Sequence, residues 1–445
     1  MNENKYSRFL IGLTIFLSSY ILFKRPFEGY ITYIVMVIFF PVFISKYGLP
    51  KIPLLIFAPL LVSGWINIQI GENEPGLFFK IFIGLFSSVL FYRYVLEAFK
   101  FDVNDLFKLY IRGALIVSII GFFQIASFFV GFTPGYDYGW FLNKWGVSPG
   151  GFGIRMNSIF SEPAYFAGVV GPAFFVAIYN VLMKKQAYMT KMQSYIIIGA
   201  YLLTFSSLGI ISIFVAALLL LMNYGFVRYA IFVGPILYLG YIYAYSELDE
   251  FRDRVDGTVT AFSGQGPVDL NEIHGSSFVL YNNYVIALEN FKKNPFFGTG
   301  LGSHPLAFEK YSLTNAPGMI DLNFNKADAN SMLLRLLSET GLYGVLFMLG
   351  FVFYNVVPRN KSANETNWLI SNGILVVIIV YLMRQGHYFI NGFPFFLWVY
   401  YYVRKYNDWM IENPEDALLQ EEEEEEEEFN QIEEEETKPT LAQGS

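Results

Sequence analysis

The chain has 445 residues, of which 54% are hydrophobic and 19% aromatic but only 15% charged. Water-soluble domains carry about a quarter charged residues, so the composition excludes an ordinary soluble protein. The formal net charge of −8 belongs to one end: residues 412–445 hold fifteen acids and one lysine, a net of −14 that leaves +6 for residues 1–411.

Uncharged runs cover 113–136, 163–183, 192–227, 229–246, 340–358 and 366–383, and roughly 20 apolar residues cross the hydrocarbon core as a helix. The pattern predicts an all-α polytopic membrane protein with about 12 transmembrane helices. In chain order they lie near 9–23, 29–45, 52–67, 78–94, 113–131, 163–181, 194–206, 208–223, 229–245, 332–356, 367–383 and 388–403. The run 192–227 is too long for one span and is split at Ser206, Ser207 and Gly209, where small residues tolerate a break. If its short first half does not cross, eleven spans remain.

Lys and Arg in short loops stay cytoplasmic. Lys46, Lys51, Arg93, Lys100, Lys108, Arg112, Lys184, Lys185, Lys191, Arg228, Arg359 and Lys361 share one side when the N-terminus is cytoplasmic. Lys24 and Arg25 are the exception to this pattern. The outer loops are then 24–28, 68–77, 132–162, 246–331 and 384–387, the largest falling between helices 9 and 10. The first span lacks a small-residue cleavage motif and is followed at once by another, so it is expected to stay. With an even number of spans both termini are cytoplasmic. Residues 1–408 form the membrane domain. Residues 409–445, with eight consecutive glutamates at 421–428, read as a disordered acidic tail that serves solubility or docks a basic partner. Zero cysteines exclude disulfides and thiolate ligands, and three histidines in all make a protein-built zinc site a poor expectation.

Chemistry-bearing residues concentrate in the outer loops. The segment 151–167, GFGIRMNSIFSEPAYFA, sets Arg155 and Glu162 at the mouth of an uncharged helix whose first turn suits Pro163. Glu162 either complements the helix dipole or acts on a ligand. Arg155, seven residues before Glu162 in a Gly- and aromatic-rich loop, is poorly explained as an interfacial anchor. In loop 246–331, Arg252 and Arg254 alternate with acids, as in a solvated turn or an anion site. Gly298, Gly300 and Gly302 form a flexible turn whose amides suit phosphate oxygens, with no dinucleotide fold around it. His304 beside it is a surface histidine or an outer-face proton shuttle. Asp328 and Asn330 precede a helix in which Arg335 and Glu339, at i and i+4, neutralise each other. Arg384 and His387 share a short outer turn, as anchors or as cations facing the compartment of Arg155. Tyr136, Tyr138 and Trp140 stack on sugars or belong to the interfacial belt. No basic stripe or motif suggests nucleic acid.

Together these pieces resemble the O-antigen polymerase and O-antigen ligase superfamily of bacterial envelope enzymes. The resemblance rests on RMNSIFSEPAYFA at 155–167, SSLGI at 206–210, NPFFGTGLG at 294–302 and DANSMLLRLLSETG at 328–341, in that order, with the large loop just before the last helices. It covers about residues 10 to 405. It implies an inner-membrane glycosyltransferase using undecaprenyl-diphosphate-linked oligosaccharides at the outer leaflet, without cofactor or essential metal. A flippase and a chain-length regulator are the implied partners. Arg155 would bind the diphosphate, Glu162 or His304 would take the acceptor proton, and Arg254, the three glycines, Asp328, Asn330, Arg384 and His387 would line the substrate. Two departures matter: Ser276–Tyr284 lacks the family's arginine and tryptophan, and Ala329 stands where ligases carry histidine. The second favours a polymerase over transfer to lipid A core, and a single-displacement, inverting reaction is the expected chemistry. A flippase or other transporter is the rival class, disfavoured because the long late loop has no counterpart in the first half.

Overall fold

A computed structural model describes residues 3–17, 19–23, 28–247, 249–263, 275–315 and 325–419. Its helices are α1 (Glu3–Ile11), α2 (Ile31–Tyr47), α3 (Lys51–Gln69), α4 (Pro75–Ala98), α5 (Val103–Phe129), α6 (Thr133–Tyr136), α7 (Pro163–Met183), α8 (Lys191–Leu202), α9 (Ser207–Tyr224), α10 (Phe226–Glu247), α11 (Asp249–Ser263), α12 (Gly275–Lys293), α13 (His304–Tyr311), α14 (Met332–Asn355), α15 (Glu365–Arg384) and α16 (Phe393–Glu412). The only sheet among the described residues is a hairpin, β1 (Ser148–Gly150) against β2 (Gly153–Arg155). The protein is therefore all-α. Among the described residues seven helices, α3, α4, α5, α7, α9, α14 and α15, are long and apolar enough to cross a membrane, with α2 a shorter apolar helix. This is consistent with a polytopic membrane protein. The acidic stretch 420–445 lies outside the described residues.

Helices α7 and α15 form the centre, with 78% and 83% of their apolar windows buried against 22–39% in the other five. Small residues let them meet closely: a Cβ on Gly373 of α15 would lie 3.1 Å from the Pro172 carbonyl oxygen of α7. Pro172 also interrupts the α7 ladder. The Tyr110 hydroxyl of α5 answers there, donating to the Val169 carbonyl at 2.6 Å and accepting from the Ala173 amide at 3.3 Å.

The expected break in 192–227 is present. Helix α8 ends at Leu202, and Ser206 caps α9 by accepting from the Gly209 amide at 2.9 Å. The first expected span differs. Helix α1 continues through a π-helical turn, Gly12–Phe16, and then stops, so the helical part is about 21 Å long at 1.5 Å per residue, short of a hydrocarbon core of about 30 Å. The chain is drawn off by the 137–162 loop. Asn143 pairs with both backbone groups of Ile21, and the Ser19 hydroxyl donates to the Ile159 carbonyl at 2.5 Å.

Helix α14 is broken at Gly341, which sits at φ 59 and ψ −150. The segment after α12 fills the break. The Leu342 and Tyr343 amides donate to the Pro295 and Phe296 carbonyls at 2.8 and 2.9 Å, and the Gly300 amide donates to the Glu339 carbonyl at 2.7 Å. Backbone groups freed within a membrane-depth helix are thereby paired with protein.

Candidate functional site

Segments expected to share the outer side converge. The ammonium of Lys144 donates to Glu28 at 2.5 Å, Asn73 of the 70–74 turn donates to the Leu301 carbonyl at 3.0 Å, and His387 meets Asp328 at 3.2 Å. At the other end of the bundle, Lys185 meets Glu365, and Tyr94 donates to the Gly48 carbonyl. Each of these contacts joins segments that the distribution of Lys and Arg assigns to one side.

The site is built on two turns packed on each other. Residues 328–330 turn sharply, with Ala329 and Asn330 at φ 59 and 55, and the Asn330 amide donates to Asp328 Oδ1 at 3.2 Å. Asn325 donates to the same oxygen at 3.0 Å. The turn 385–392 lies directly against this backbone, and a Cβ on Gly386 would come within 1.4 Å of the Asp328 carbonyl oxygen. Only glycine permits that approach. It brings His387 Nε2 to 3.2 Å from Asp328 Oδ2, the acid buried and the imidazole partly exposed. Burial holds the His387 pKa below its ordinary value; Asp328 opposes this, and Arg335 and Lys144 reinforce it. The imidazole is therefore neutral near pH 7. In the tautomer that carries its proton on Nε2, toward Asp328, Nδ1 is an acceptor.

Beneath these turns lies the pair expected from sequence. Arg335 Nε donates to Glu339 Oε1 at 2.9 Å with both side chains buried. The pair has further partners. Arg335 also donates to the Gly386 carbonyl at 2.9 Å and lies 4.4 Å over the Tyr388 ring, while the Tyr388 hydroxyl donates to Glu339 Oε2 at 3.0 Å. Arg335 thus fixes the turn that carries His387.

Glu162 lies within electrostatic reach of Asp328 and of Arg155. Glu162 precedes α7, but its carboxylate makes no capping bond; its backbone carbonyl receives the Tyr165 and Phe166 amides instead. Its side chain is exposed, yet partial desolvation by the surrounding protein raises its pKa, offset by Lys144, increased by Asp328 and offset again by Arg155. Lys144, Asp328 and Arg155 are therefore each in electrostatic reach of Glu162. Arg155 ends β2, and Nε of its guanidinium is buried without a hydrogen-bond partner. Among the described residues it makes no ion pair within hydrogen-bond distance. A buried guanidinium nitrogen left unpaired is costly, and an anion entering from the open side would relieve it.

Two expectations are overturned. Two amides of the glycine turn are already taken: the Gly298 amide donates to the Asn294 carbonyl at 3.1 Å and the Gly300 amide to Glu339. Gly298 and Gly300 sit at φ 59 and 91, and a Cβ on Gly298 would lie 2.4 Å from the Glu339 carbonyl carbon. On Gly302, at φ 79, it would lie 2.5 Å from the Leu77 carbonyl oxygen. These glycines serve close packing against α4 and the broken α14. His304 is not a surface histidine. It is fully buried, with Nε2 2.9 Å from Asn283 Oδ1. Its pKa is pushed down to about 3, chiefly by burial and then by Arg335, with Asp328 opposing. Arg384 closes α15 half-buried. Arg254 falls in α11, where its side chain is outside the described residues.

Sequence reasoning did not single out Lys144, Tyr388 or an apolar groove of about 570 Å³. The groove runs between α3, α4, α14 and α16, past Leu85, Phe351 and Trp398, to Met332, Leu336 and Tyr388 beside the polar cluster. Its length along α14 and α16 suits an extended hydrocarbon chain with a polar head at the cluster. Among the described residues no group of three or more His, Asp or Glu is arranged for a metal ion.

The chain matches no protein-family model and no curated protein sequence.

Proposed function

We propose that this protein is a glycosyltransferase that polymerises polyprenyl-diphosphate-linked oligosaccharide repeat units at the outer face of the bacterial inner membrane. The observations that carry the reading are an apolar groove that reaches Tyr388, next in the chain to a histidine beside an aspartate, and an arginine without an anionic partner that acts on Glu162 electrostatically, as that aspartate does. The polyprenyl chain occupies the groove, and Arg155 receives the diphosphate, whose oxygens match the guanidinium fork. Its fixed charge offsets the negative charge that develops as the leaving group departs.

In the reaction, the acceptor hydroxyl oxygen bonds to the donor's anomeric carbon while the bond from that carbon to the diphosphate breaks. The electron pair leaves with the diphosphate and the hydroxyl proton passes to Nδ1 of neutral His387, oriented by Asp328. This single displacement inverts configuration. Glu162, facing the same space, positions acceptor hydroxyls. His304, a weak base in a closed pocket, is replaced in the proton-transfer role by His387, which stands against Asp328 and hence one residue from Ala329.

Transfer to lipid A core is the alternative within the same chemistry. A transporter draws some support from the broken helix α14. Its freed backbone groups are already bonded to 295–300, however, and are not offered to a substrate. The test is to reconstitute the full chain in lipid with polyprenyl-diphosphate repeat units, with and without lipid A core. A ladder of multiples in which new linkages are inverted relative to the donor supports the reading. Retained configuration, transfer only to lipid A core, or an unconsumed pool redistributed between leaflets overturns it.

A further inference from the structure

Helices α12 and α13 are joined by residues 294–303, which pack into the break of α14 rather than over the end of the bundle. Two helices measure how deep that is. A Cβ on Gly300 would lie 3.2 Å from the Gly64 Cα of α3, and Gly64 stands about 20 Å along that helix from Lys51 at 1.5 Å per residue. A Cβ on Gly341 would lie 2.6 Å from the Pro295 carbonyl oxygen, and Gly341 stands about 21 Å from Asn355 at the end of α14. Lys51 and the cations after Asn355, Arg359 and Lys361, belong to one polar face by the distribution of Lys and Arg. Against a hydrocarbon core of about 30 Å, residues 295–300 therefore lie about 10 Å inside it from the opposite face, and tilt of either helix only places them deeper.

The segment has the two properties that this depth demands. Its backbone is paired with protein: the Gly298 and Gly300 amides donate to the Asn294 and Glu339 carbonyls, and the Pro295 and Phe296 carbonyls accept from the Leu342 and Tyr343 amides, as irregular backbone at membrane depth requires. Its outward side chains are apolar, Phe296 and Phe297 being 67% and 57% exposed. Phe297 lies against Tyr343, with ring centroids 5.9 Å apart. From Tyr343, α14 continues at helical spacing with Leu346 and Phe347 exposed, on a helix long and apolar enough to cross a membrane. The two phenylalanines therefore extend a lipid-facing stripe. The lysines just before them turn away: Lys292 pairs with Glu289 at 2.6 Å, and Lys293 lies 4.8 Å over the Tyr311 ring, their long stems carrying the ammonium groups back from the turn. We propose that residues 294–303 form a re-entrant element, with Phe296 and Phe297 in contact with the acyl chains of the leaflet on the side of Asp328. The inference requires the membrane assignment but not the glycosyltransferase reading.

The chain contains no cysteine, so a single introduced thiol is labelled uniquely. The full chain carrying Phe296→Cys or Phe297→Cys is given a nitroxide label and reconstituted in phosphatidylcholine vesicles, with Phe347→Cys as the lipid-facing reference and the exposed Lys361→Cys as the aqueous one. Power-saturation electron paramagnetic resonance then reads collisions with oxygen, which concentrates in hydrocarbon, and with a nickel chelate, which stays in water. The oxygen-to-nickel ratio at 296 and 297 should be close to that at 347 and about tenfold or more above that at 361, because a polar chelate partitions poorly into hydrocarbon. Both native side chains are exposed, so the substitutions leave the packing intact, and either labelled site reports alone. A ratio at 296 or 297 matching that at 361 places the segment in water and overturns the proposal. Poor collision with both reagents means that protein covers the site, a second copy of the chain included, and overturns the lipid contact.

Discussion

Replacing Arg335 by methionine isolates the contribution of the buried pair beneath the site. Glu339 is 0% exposed, and once Arg335 is gone its carboxylate keeps a single side-chain donor, the Tyr388 hydroxyl. The Gly386 carbonyl loses its donor as well. Leaving one member of a buried pair uncompensated costs about 3–5 kcal/mol, whereas replacing both by apolar residues of similar volume is often neutral. At about 2.1 cal/mol/K of unfolding entropy per residue, a chain of this size has about 0.9 kcal/mol/K in total, so the loss lowers Tm by about 3–6 °C. Tryptophan fluorescence during heating in detergent at a fixed scan rate reads the shift. The double variant Arg335→Met with Glu339→Leu should recover most of it. Single variants melting with the native protein, or a double variant melting below both singles, would refute the claim that the two residues stabilise each other.

Glycine-turn substitutions should act on folding alone: Gly300→Ala, at φ 91 and against Asn73 and Gly64, lowers stability by about 1–3 kcal/mol, seen as a lower Tm with unchanged affinity for the lipid-linked substrate. A buried His304 with a pKa near 3 gives a defined pH dependence. The unfolded chain takes up a proton below about pH 6.5 that the folded chain refuses, so stability is lost as pH falls from there. By pH 5 the loss is about 2 kcal/mol from this residue, and His304→Gln should flatten that part of the Tm–pH curve. Asp328→Asn and His387→Gln should each lower the polymerisation rate by about 10²- to 10⁴-fold, with Tm and retention of the lipid-linked substrate nearly unchanged, because they act on proton transfer.

The parts legible in the sequence are those governed by local chemistry. The apolar runs at 163–183 and 366–383 announce the central helices, the serines at 206 and 207 announce a break, and the spacing of Arg335 and Glu339 announces an ion pair. What could not be read depends on segments far apart in the chain. Helix α1 stops early because Asn143, 122 residues from Ile21, takes both of that residue's backbone groups. The glycines at 298, 300 and 302 have the composition of a ligand-binding turn, and only the fold reveals that the amides of Gly298 and Gly300 are taken and that Gly302 packs against α4. His387 gains Asp328 across 59 positions because Gly386 lets the two backbones touch. A short turn with one histidine and one arginine gives no local sign of such a pairing. The apolar groove is equally silent in sequence, since its walls come from four helices whose side chains would suit either lipid contact or a core.

The central claim is that Arg155 receives the diphosphate of a lipid-linked glycan. It is tested most directly by comparing native protein, Arg155→Lys and Arg155→Ala, reconstituted with polyprenyl-diphosphate repeat units and resolved by gel and mass analysis. A ladder of multiples from the native protein, weaker from the lysine variant and absent from a folded alanine variant, is the predicted result. An undiminished ladder from Arg155→Ala would contradict the account.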